Sequence, residues 1–327
     1  MDSTPTVLDD MRSFMRSRII LSAVELNLFT LLDENPLSGA ELADRADADP
    51  RALRRLLDCL VVFGLLNADN DRYHLAPAAA CLAAHHPRTV LPMAHHLNYL
   101  WDNWSRLSAV VRAGRNHSAP PIVEKDDDNL DAFIQAMHVA GRTLAEEVAA
   151  RVDLTGFQCL LDIGGATGTY TIAFLQRNPG LRAILFDLAR VVPMADRRLR
   201  EADLRERVTL RPGDFYTDEL PAGADVALLS AIIHQNSPRQ NEALFAKIHR
   251  ALAPGGALLI RDHIMADDRR HPPAGAVFAI NMLVGTTGGD TYTFHELENQ
   301  LLACGFGEIE FRWKGEYMDG LIWCRKA

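Results

Sequence analysis

The chain has 327 residues, 48% hydrophobic and 24% charged, with a formal net charge of −9. That length allows two domains, and that apolar content allows real cores. The acidic balance argues against nucleic acid as the main partner, since phosphate binding needs clustered cations. No apolar run reaches the roughly 18 residues of a membrane helix, so no membrane partner is expected. The start, Met1-Asp2-Ser3-Thr4-Pro5, is acidic and polar and does not read as a signal peptide. Cys59, Cys81, Cys159, Cys304 and Cys324 show no CxxC spacing and read as reduced core residues of a cytoplasmic enzyme.

Phe14, Ile19, Leu21, Val24, Leu28 and Leu31 recur at helical spacing, which predicts a helix from Asp10 to Leu32, stopped by Asn35-Pro36. Ser38 and Glu41 are placed as the capping box of a short helix. Asp49-Pro50 opens another, through Leu53, Leu56, Leu57, Leu60 and Val61 to about Gly64. Leu65 to Leu75, broken by Asp69-Asn70-Asp71, suits a hairpin, and the sum is a winged helix-turn-helix. Such a module suggests DNA, and Arg51, Arg54 and Arg55 lie on its second helix. Asp44, Asp47, Asp49 and Asp58 flank them, so DNA is not the expected partner. The doublets His85-His86 and His95-His96 do not chelate by themselves, because adjacent side chains point apart on a helix. Asn98 to Val111, with Tyr99, Trp101 and Trp104, reads as helical, Ala119 to Asp128 as a loop, and Leu130 to Leu144 as a helix. Phe133 and Met137 share one face of that helix. Arg151 to Phe157 is a connector. The expected division is a helical and winged-helix domain over 1–110, a helical connector over 111–157 and a catalytic domain over 158–327.

The catalytic half is organised around Leu160-Leu161-Asp162-Ile163-Gly164-Gly165-Ala166-Thr167-Gly168-Thr169-Tyr170. An apolar run, a turn of small residues and an amphipathic run predict strand, tight turn and helix, the opening of a doubly wound α/β fold. Ala183 to Asp187 is a second apolar strand ending in an acid, placed to accept hydrogen bonds from both hydroxyls of a ribose. Asp214-Phe215 follows a third strand, where acid and ring could hold an adenine. Strands near 159–162, 183–187, 207–211, 225–229, 257–262, 307–312 and 320–325 make seven. The last two are joined so briefly that they should be antiparallel.

These residues resemble the class I S-adenosylmethionine-dependent methyltransferases. More closely, they resemble the small-molecule O-methyltransferases of plants and of bacterial natural-product pathways, over nearly the whole chain. The resemblance implies an α/β fold with a seven-stranded, doubly wound, mostly parallel sheet behind a winged-helix module that dimerises and closes the partner's substrate pocket. It implies a homodimer, S-adenosyl-L-methionine as donor with S-adenosyl-L-homocysteine as product, and a small-molecule acceptor. Donor-binding candidates are Asp162, Gly164, Gly168, Asp187, Leu188, Asp214, Phe215 and Ser230. Pocket candidates are Phe133, Met137, Gln235 and Met282.

Methyl transfer to a hydroxyl needs alignment, exclusion of water and a base. The family has a histidine, an acid and a tryptophan after the fourth strand, and only the first is kept, as His234. His234 is the expected general base. Asp262 matches the acid beside it, and Asp290 is the candidate for a second acid, with Thr291 at the matching position itself. Gln235 and Asn236 replace an acid and an aromatic, Ser230 stands where plant members have a lysine, and Ala166 stands where many have a third glycine. The donor side reads as intact and the acceptor side as altered. No metal is expected on this reading. Metal-assisted C-methylation of an α-keto acid is the alternative, with His234, Gln235, Asp262, His263 and His295 as ligands. Alternation along a strand keeps Asp262 and His263 from facing one pocket without a bend. A donor-binding regulator that no longer methylates is the third reading.

Overall fold

The computed structural model describes residues 4–116 and 127–327, in two compact units, Met1–Trp101 and Asp102–Ala327. The division falls before the expected residue 110, and the expected connector belongs to the second unit. Residues 119–126 of the expected loop lie outside the described residues.

In the first unit, α1 (Thr4–Glu25) and α2 (Leu28–Glu34) replace the single helix expected over 10–32. The break is at Asn27, which adopts a left-handed φ of 55°, a conformation that asparagine tolerates better than most residues. β1 (Leu37–Ser38) leads into α3 (Gly39–Arg45), whose capping box is present: Glu41 N–H donates to Ser38 Oγ at 3.2 Å and Ser38 N–H to Glu41 Oε2 at 2.7 Å. Asp49 Oδ1 accepts from Ala52 N–H at 2.8 Å and so caps α4 (Pro50–Val62). β2 (Leu66–Asp69) and β3 (Arg72–Leu75) form the expected hairpin, with β1 on its other side in the order β1-β3-β2. Leu28, Phe29, Leu42, Leu57 and Leu60 fill the core. α5 (Leu91–Ser105) runs across the division and carries His95 and His96, whereas His85 and His86 lie in turns.

The second unit starts with α6 (Leu107–Ala113), separated from α5 at Arg106, so the helix expected over 98–111 is two. α7 (Asp127–Arg151) is longer than expected at both ends and takes in the first connector residue. Then come β4 (Cys159–Ile163), α8 (Thr169–Arg177), β5 (Arg182–Asp187), α9 (Val192–Glu201), β6 (Val208–Pro212) and β7 (Ala224–Ser230). α10 (Pro238–Ala251), β8 (Leu252–Asp262), β9 (Ile264–Met265), α11 (Pro273–Gly285), β10 (Tyr292–Thr293), α12 (Phe294–Ala303), β11 (Phe306–Trp313) and β12 (Gly320–Lys326) complete the chain. Seven strands form one sheet in the order β11-β12-β8-β7-β4-β5-β6. β12 runs antiparallel to both neighbours and the other pairings are parallel, as expected. Apolar side chains cover both faces, one cluster containing Phe174, Leu185 and Leu228, the other Leu161, Leu229 and Phe245.

The parallel strands place the ends of β4, β5, β6, β7 and β8 along one edge, where doubly wound folds bind ligands. The turn after β4 bends through Gly164, Ala166 and Gly168 at φ of 68°, 48° and 76°. A Cβ on Gly164 would lie 2.8 Å from Ile232 Cδ1, and one on Gly165 2.7 Å from Leu185 Cγ. Ala166 carries a side chain in a conformation that costs an L-residue about 1–2 kcal/mol. Allowing for the extra chain entropy of glycine, we predict that Ala166→Gly raises stability by about 1 kcal/mol and the melting temperature by roughly 2–4 °C. Thermal unfolding checks this, and an unchanged or lower midpoint contradicts it.

Candidate active site

Three acids line the edge. Asp162, 2% exposed at the end of β4, accepts from Thr171 Oγ1 at 2.5 Å. Burial pushes its carboxyl up to about 6, helped by the charge of Asp187 and opposed by the Thr171 hydrogen bond. Asp187, at the end of β5, accepts from Ala166 N–H on Oδ2 (2.8 Å) and from Leu188 N–H on Oδ1 (2.7 Å). Burial pushes it to about 6 as well, against those two bonds. Asp214 lies beyond β6 in a turn closed by Asp214 N–H on Asp218 Oδ2 and Tyr216 N–H on Asp214 Oδ1, each 2.8 Å. The neighbouring Phe215 ring packs on Tyr216 and lies 3.5 Å from where a Gly164 Cβ would be. Phe133 of α7 packs with Leu188 and Ala166 on a small cluster around Ile134 and Met194. Asp162, Gly164, Gly168, Asp187, Leu188, Asp214 and Phe215 therefore follow the ends of β4, β5 and β6 along one edge of the sheet, and Phe133 packs beside Leu188. Met137 is half-buried on the same helix, and Met282 is buried on α11.

His234 sits in a single turn of 3-10 helix, Ile233–Gln235, beyond β7. Its Nδ1 is 2.9 Å from both oxygens of Asp262. A carboxylate only accepts, so Nδ1 carries a proton, and in the neutral ring Nε2 is the nitrogen that can accept one. Asp262 is fully buried and also accepts from His263 N–H at 2.8 Å. Burial alone pushes its carboxyl up. Attraction and a hydrogen bond from His234, the charge of Arg261 and the His263 N–H outweigh it, so the net is below the ordinary carboxylate value. The turn is held by Asp290 N–H on His234 O (2.9 Å) and Asn241 Nδ2 on Ile233 O (3.1 Å). Phe278 meets the imidazole edge to face, ring centres 4.9 Å apart.

Several expectations change. Asp290 is not a second acid on the imidazole: Oδ2 pairs with Arg269 Nη1 at 3.2 Å, Oδ1 accepts from Thr291 N–H, and only its main chain meets His234. The alternative metal set is not assembled. Asp262 is taken by His234 and His263, and His295 is an exposed residue of α12 beside Glu298. Among the described residues no group of three His, Cys, Asp or Glu is placed to hold a metal ion. The strand does break at His263, between β8 and β9, so His263 and His234 both reach Phe278. His263 Nδ1 is buried without a partner, and burial holds that ring down at about 4, hence neutral. Ser230 Oγ accepts from Arg261 Nε at 2.8 Å, so the cation at this corner comes from the next strand.

Sequence reasoning missed the residues that connect these parts. Asn236, read only as a lost tryptophan, is fully buried: Oδ1 accepts from Tyr216 OH (2.5 Å), Nδ2 donates to Asn241 Oδ1 (2.9 Å), and its carbonyl accepts from Tyr292 OH. His138, next to Met137, bonds Thr169 Oγ1 at 2.9 Å and joins α7 to the start of α8. Burial, then Arg198 and Arg142, hold it down at about 4, so it is neutral. For His138 the only signal was a histidine between Met137 and Val139, and Asn236, between Gln235 and Ser237, carried none.

The ordered acids, the glycine turn and a histidine–aspartate pair on one edge of a doubly wound sheet define a class I S-adenosylmethionine-dependent methyltransferase. Residues 104–307 match the model of the O-methyltransferase domain, and residues 8–85 that of the O-methyltransferase dimerisation domain. The chain belongs to this O-methyltransferase family, whose members are S-adenosylmethionine-dependent and act on small-molecule metabolites. It is 35% identical over 304 residues to the tetracenomycin polyketide synthesis 8-O-methyl transferase TcmO of Streptomyces glaucescens, covering 91% of this chain and 89% of that one. It is 32% identical over 265 residues to the N,N-dimethyltransferase OxyT of Streptomyces rimosus, covering 78% and 76%. The crystal structure of human N-acetylserotonin methyltransferase in complex with S-adenosylmethionine superposes with a TM-score of 0.86 at 26% identity, covering 100% of this chain and 99% of that one.

The buried acids give a pH prediction. Asp162 has a folded pKa of about 6 against an ordinary 3.8. The folded state therefore holds its proton more tightly than the unfolded one. The benefit is full below about 3.8 and is lost as pH rises through about 6. Asp162→Asn, which keeps the acceptor for Thr171, is predicted to stabilise the protein without donor by about 1–3 kcal/mol at pH 7.5 and much less at pH 4.5. Denaturant unfolding at the two pH values checks it. Equal effects at both, or destabilisation at pH 7.5, contradict it.

Proposed function

We propose that this O-methyltransferase methylates a hydroxyl of a polyketide-like small molecule, with His234 as general base. The observation that carries this is the pairing of His234 Nδ1 with Asp262 at 2.9 Å, so that in the neutral ring Nε2 is the nitrogen that can accept a proton. The bound donor supplies an electrophilic methyl group on a sulfonium. In this reading Asp187 accepts from the ribose hydroxyls, Asp214 and Phe215 hold the adenine, and Gly164 and Gly168 give room for the amino-acid tail, with Asp162, Leu188 and Ser230 beside it. The chemistry of these residues fits such a donor, which needs acids for a diol, an exocyclic amine and a cationic end. The acceptor O–H gives its proton to His234 Nε2 as the oxygen takes the methyl group. Asp262 holds the ring and meets the positive charge that forms. Phe133, Met137, Gln235 and Met282 are proposed to line the acceptor side.

Labelled donor offered with hydroxylated aromatics, aromatic amines and α-keto acids tests the acceptor class. His234→Ala is predicted to lower kcat by about 10²–10⁴. Asp262→Asn, which no longer favours the Nδ1–H tautomer, should cost about 10² or more. Turnover of the hydroxylated acceptor that survives unchanged in His234→Ala removes the base assignment.

We also infer a homodimer. Met11, Phe14 and Met15 of α1 are 66%, 52% and 53% exposed, more apolar surface than one helix face leaves in water without a partner. The double variant Met11→Asp/Phe14→Asp is predicted to sediment as a monomer. Wild-type protein that is monomeric at micromolar concentration contradicts the inference.

A further inference from the structure

Of the 34 basic residues, 30 are arginine and four are lysine. One of the four, Lys247 of α10, does something a flat guanidinium does poorly. Its Nζ donates to three carbonyls of a single turn, Phe215 O at 3.1 Å, Tyr216 O at 2.9 Å and Asp218 O at 2.7 Å. An ammonium has three donors around one point, so all three are used and the turn is curled around the charge. Charge-assisted bonds of this kind are about twice as strong as neutral ones. The turn is tied down elsewhere too, by Gly213 N–H on Asp187 O, by Asp214 N–H on Asp218, and by Tyr216 OH on Asn236. Lys247 differs from these ties because it gathers three carbonyls of the turn that carries the acid Asp214 and the Phe215 ring.

We propose that Lys247 is a positioning residue for the donor's adenine, fixing the turn through the carbonyls of Phe215, Tyr216 and Asp218 so that Asp214 meets the exocyclic amine. The inference rests on the reading of that turn as the adenine site. It has a consequence beyond affinity. A hypoxanthine base carries a carbonyl where adenine has its amine, and a fixed Asp214 repels it. Once the turn is loose, the carboxylate can move away, and the preference shrinks.

The test is calorimetric titration of full-length wild type, Lys247→Met and Lys247→Gln with S-adenosylhomocysteine and with S-inosylhomocysteine, alongside melting temperatures. Wild type is expected to bind the adenine form at least about tenfold tighter than the hypoxanthine form, since a site built to hydrogen-bond one group rejects its analogue. Lys247→Met should weaken the adenine form about tenfold and the hypoxanthine form less than about threefold, from the loss of an ordered acceptor. Lys247→Gln, a milder change that keeps two donors, should fall between, and it carries the test if Lys247→Met fails to fold. Variants that keep the wild-type preference while only their melting temperature falls overturn the inference and leave the donor site standing. Wild type that binds neither nucleoside overturns the adenosine reading itself.

Discussion

Asp262 is a carboxylate without solvent, and the acceptor half of the site is arranged around keeping it charged. Two partners do so directly, His234 Nδ1–H and His263 N–H, with Arg261 close by. Removing one partner of such a pair leaves an uncompensated buried charge, which costs far more than the pair contributes net. The parallel register sets Ser230 abreast of Arg261, so Asp262 begins one residue beyond the end of β7. His234 must fold back to reach it, and the chain turns at Ala231, at a φ of 58°, with its N–H on Arg261 O. Asp290, Asn241 and Tyr292 then hold that return from three directions. The geometry of the proposed base is thus overdetermined, which suits a group that must gain and lose a proton without moving.

The donor half is governed by the opposite electrostatics. Asp162 and Asp187 are pushed up by burial against the hydrogen bonds they accept. Without ligand the protein carries that desolvation as an expense. In the proposed reading a donor with hydroxyls and a positive centre relieves it, so part of the binding free energy is stored in the protein beforehand. Contacts between the elements of the two halves include Tyr216 on Asn236, His138 on Thr169 and the charged Arg261 on Ser230.

Much of this was legible in the sequence because it is local. Apolar runs gave the seven strands, the Ser38–Glu41 spacing gave a cap that is present, and small residues after Asp162 marked the turn. His234 and Asp262, 28 residues apart, could be paired only through the family resemblance, and the structure brings them together. What failed depended on directions that no local pattern encodes. Asp290 looked like an acid for His234, but Arg269, 21 residues away, takes its carboxylate. His295 looked like a ligand, but its helix turns it outward. Asn236 looked like a loss, yet its amide satisfies two side chains that are remote in sequence or in the turn, Tyr216 and Asn241. The break at Asn27 was hidden because apolar residues keep helical spacing across it.

The account stands on the protonation of one ring. Nitrogen-15 NMR of the histidine-labelled protein with S-adenosylhomocysteine bound, assigned through a His234 variant, reports which imidazole nitrogen carries hydrogen. With His234 as the base, the neutral ring is predicted to carry its proton on Nδ1 toward Asp262 and to leave Nε2 bare. A proton fixed on Nε2 would leave nothing to accept the substrate's hydrogen and would contradict it.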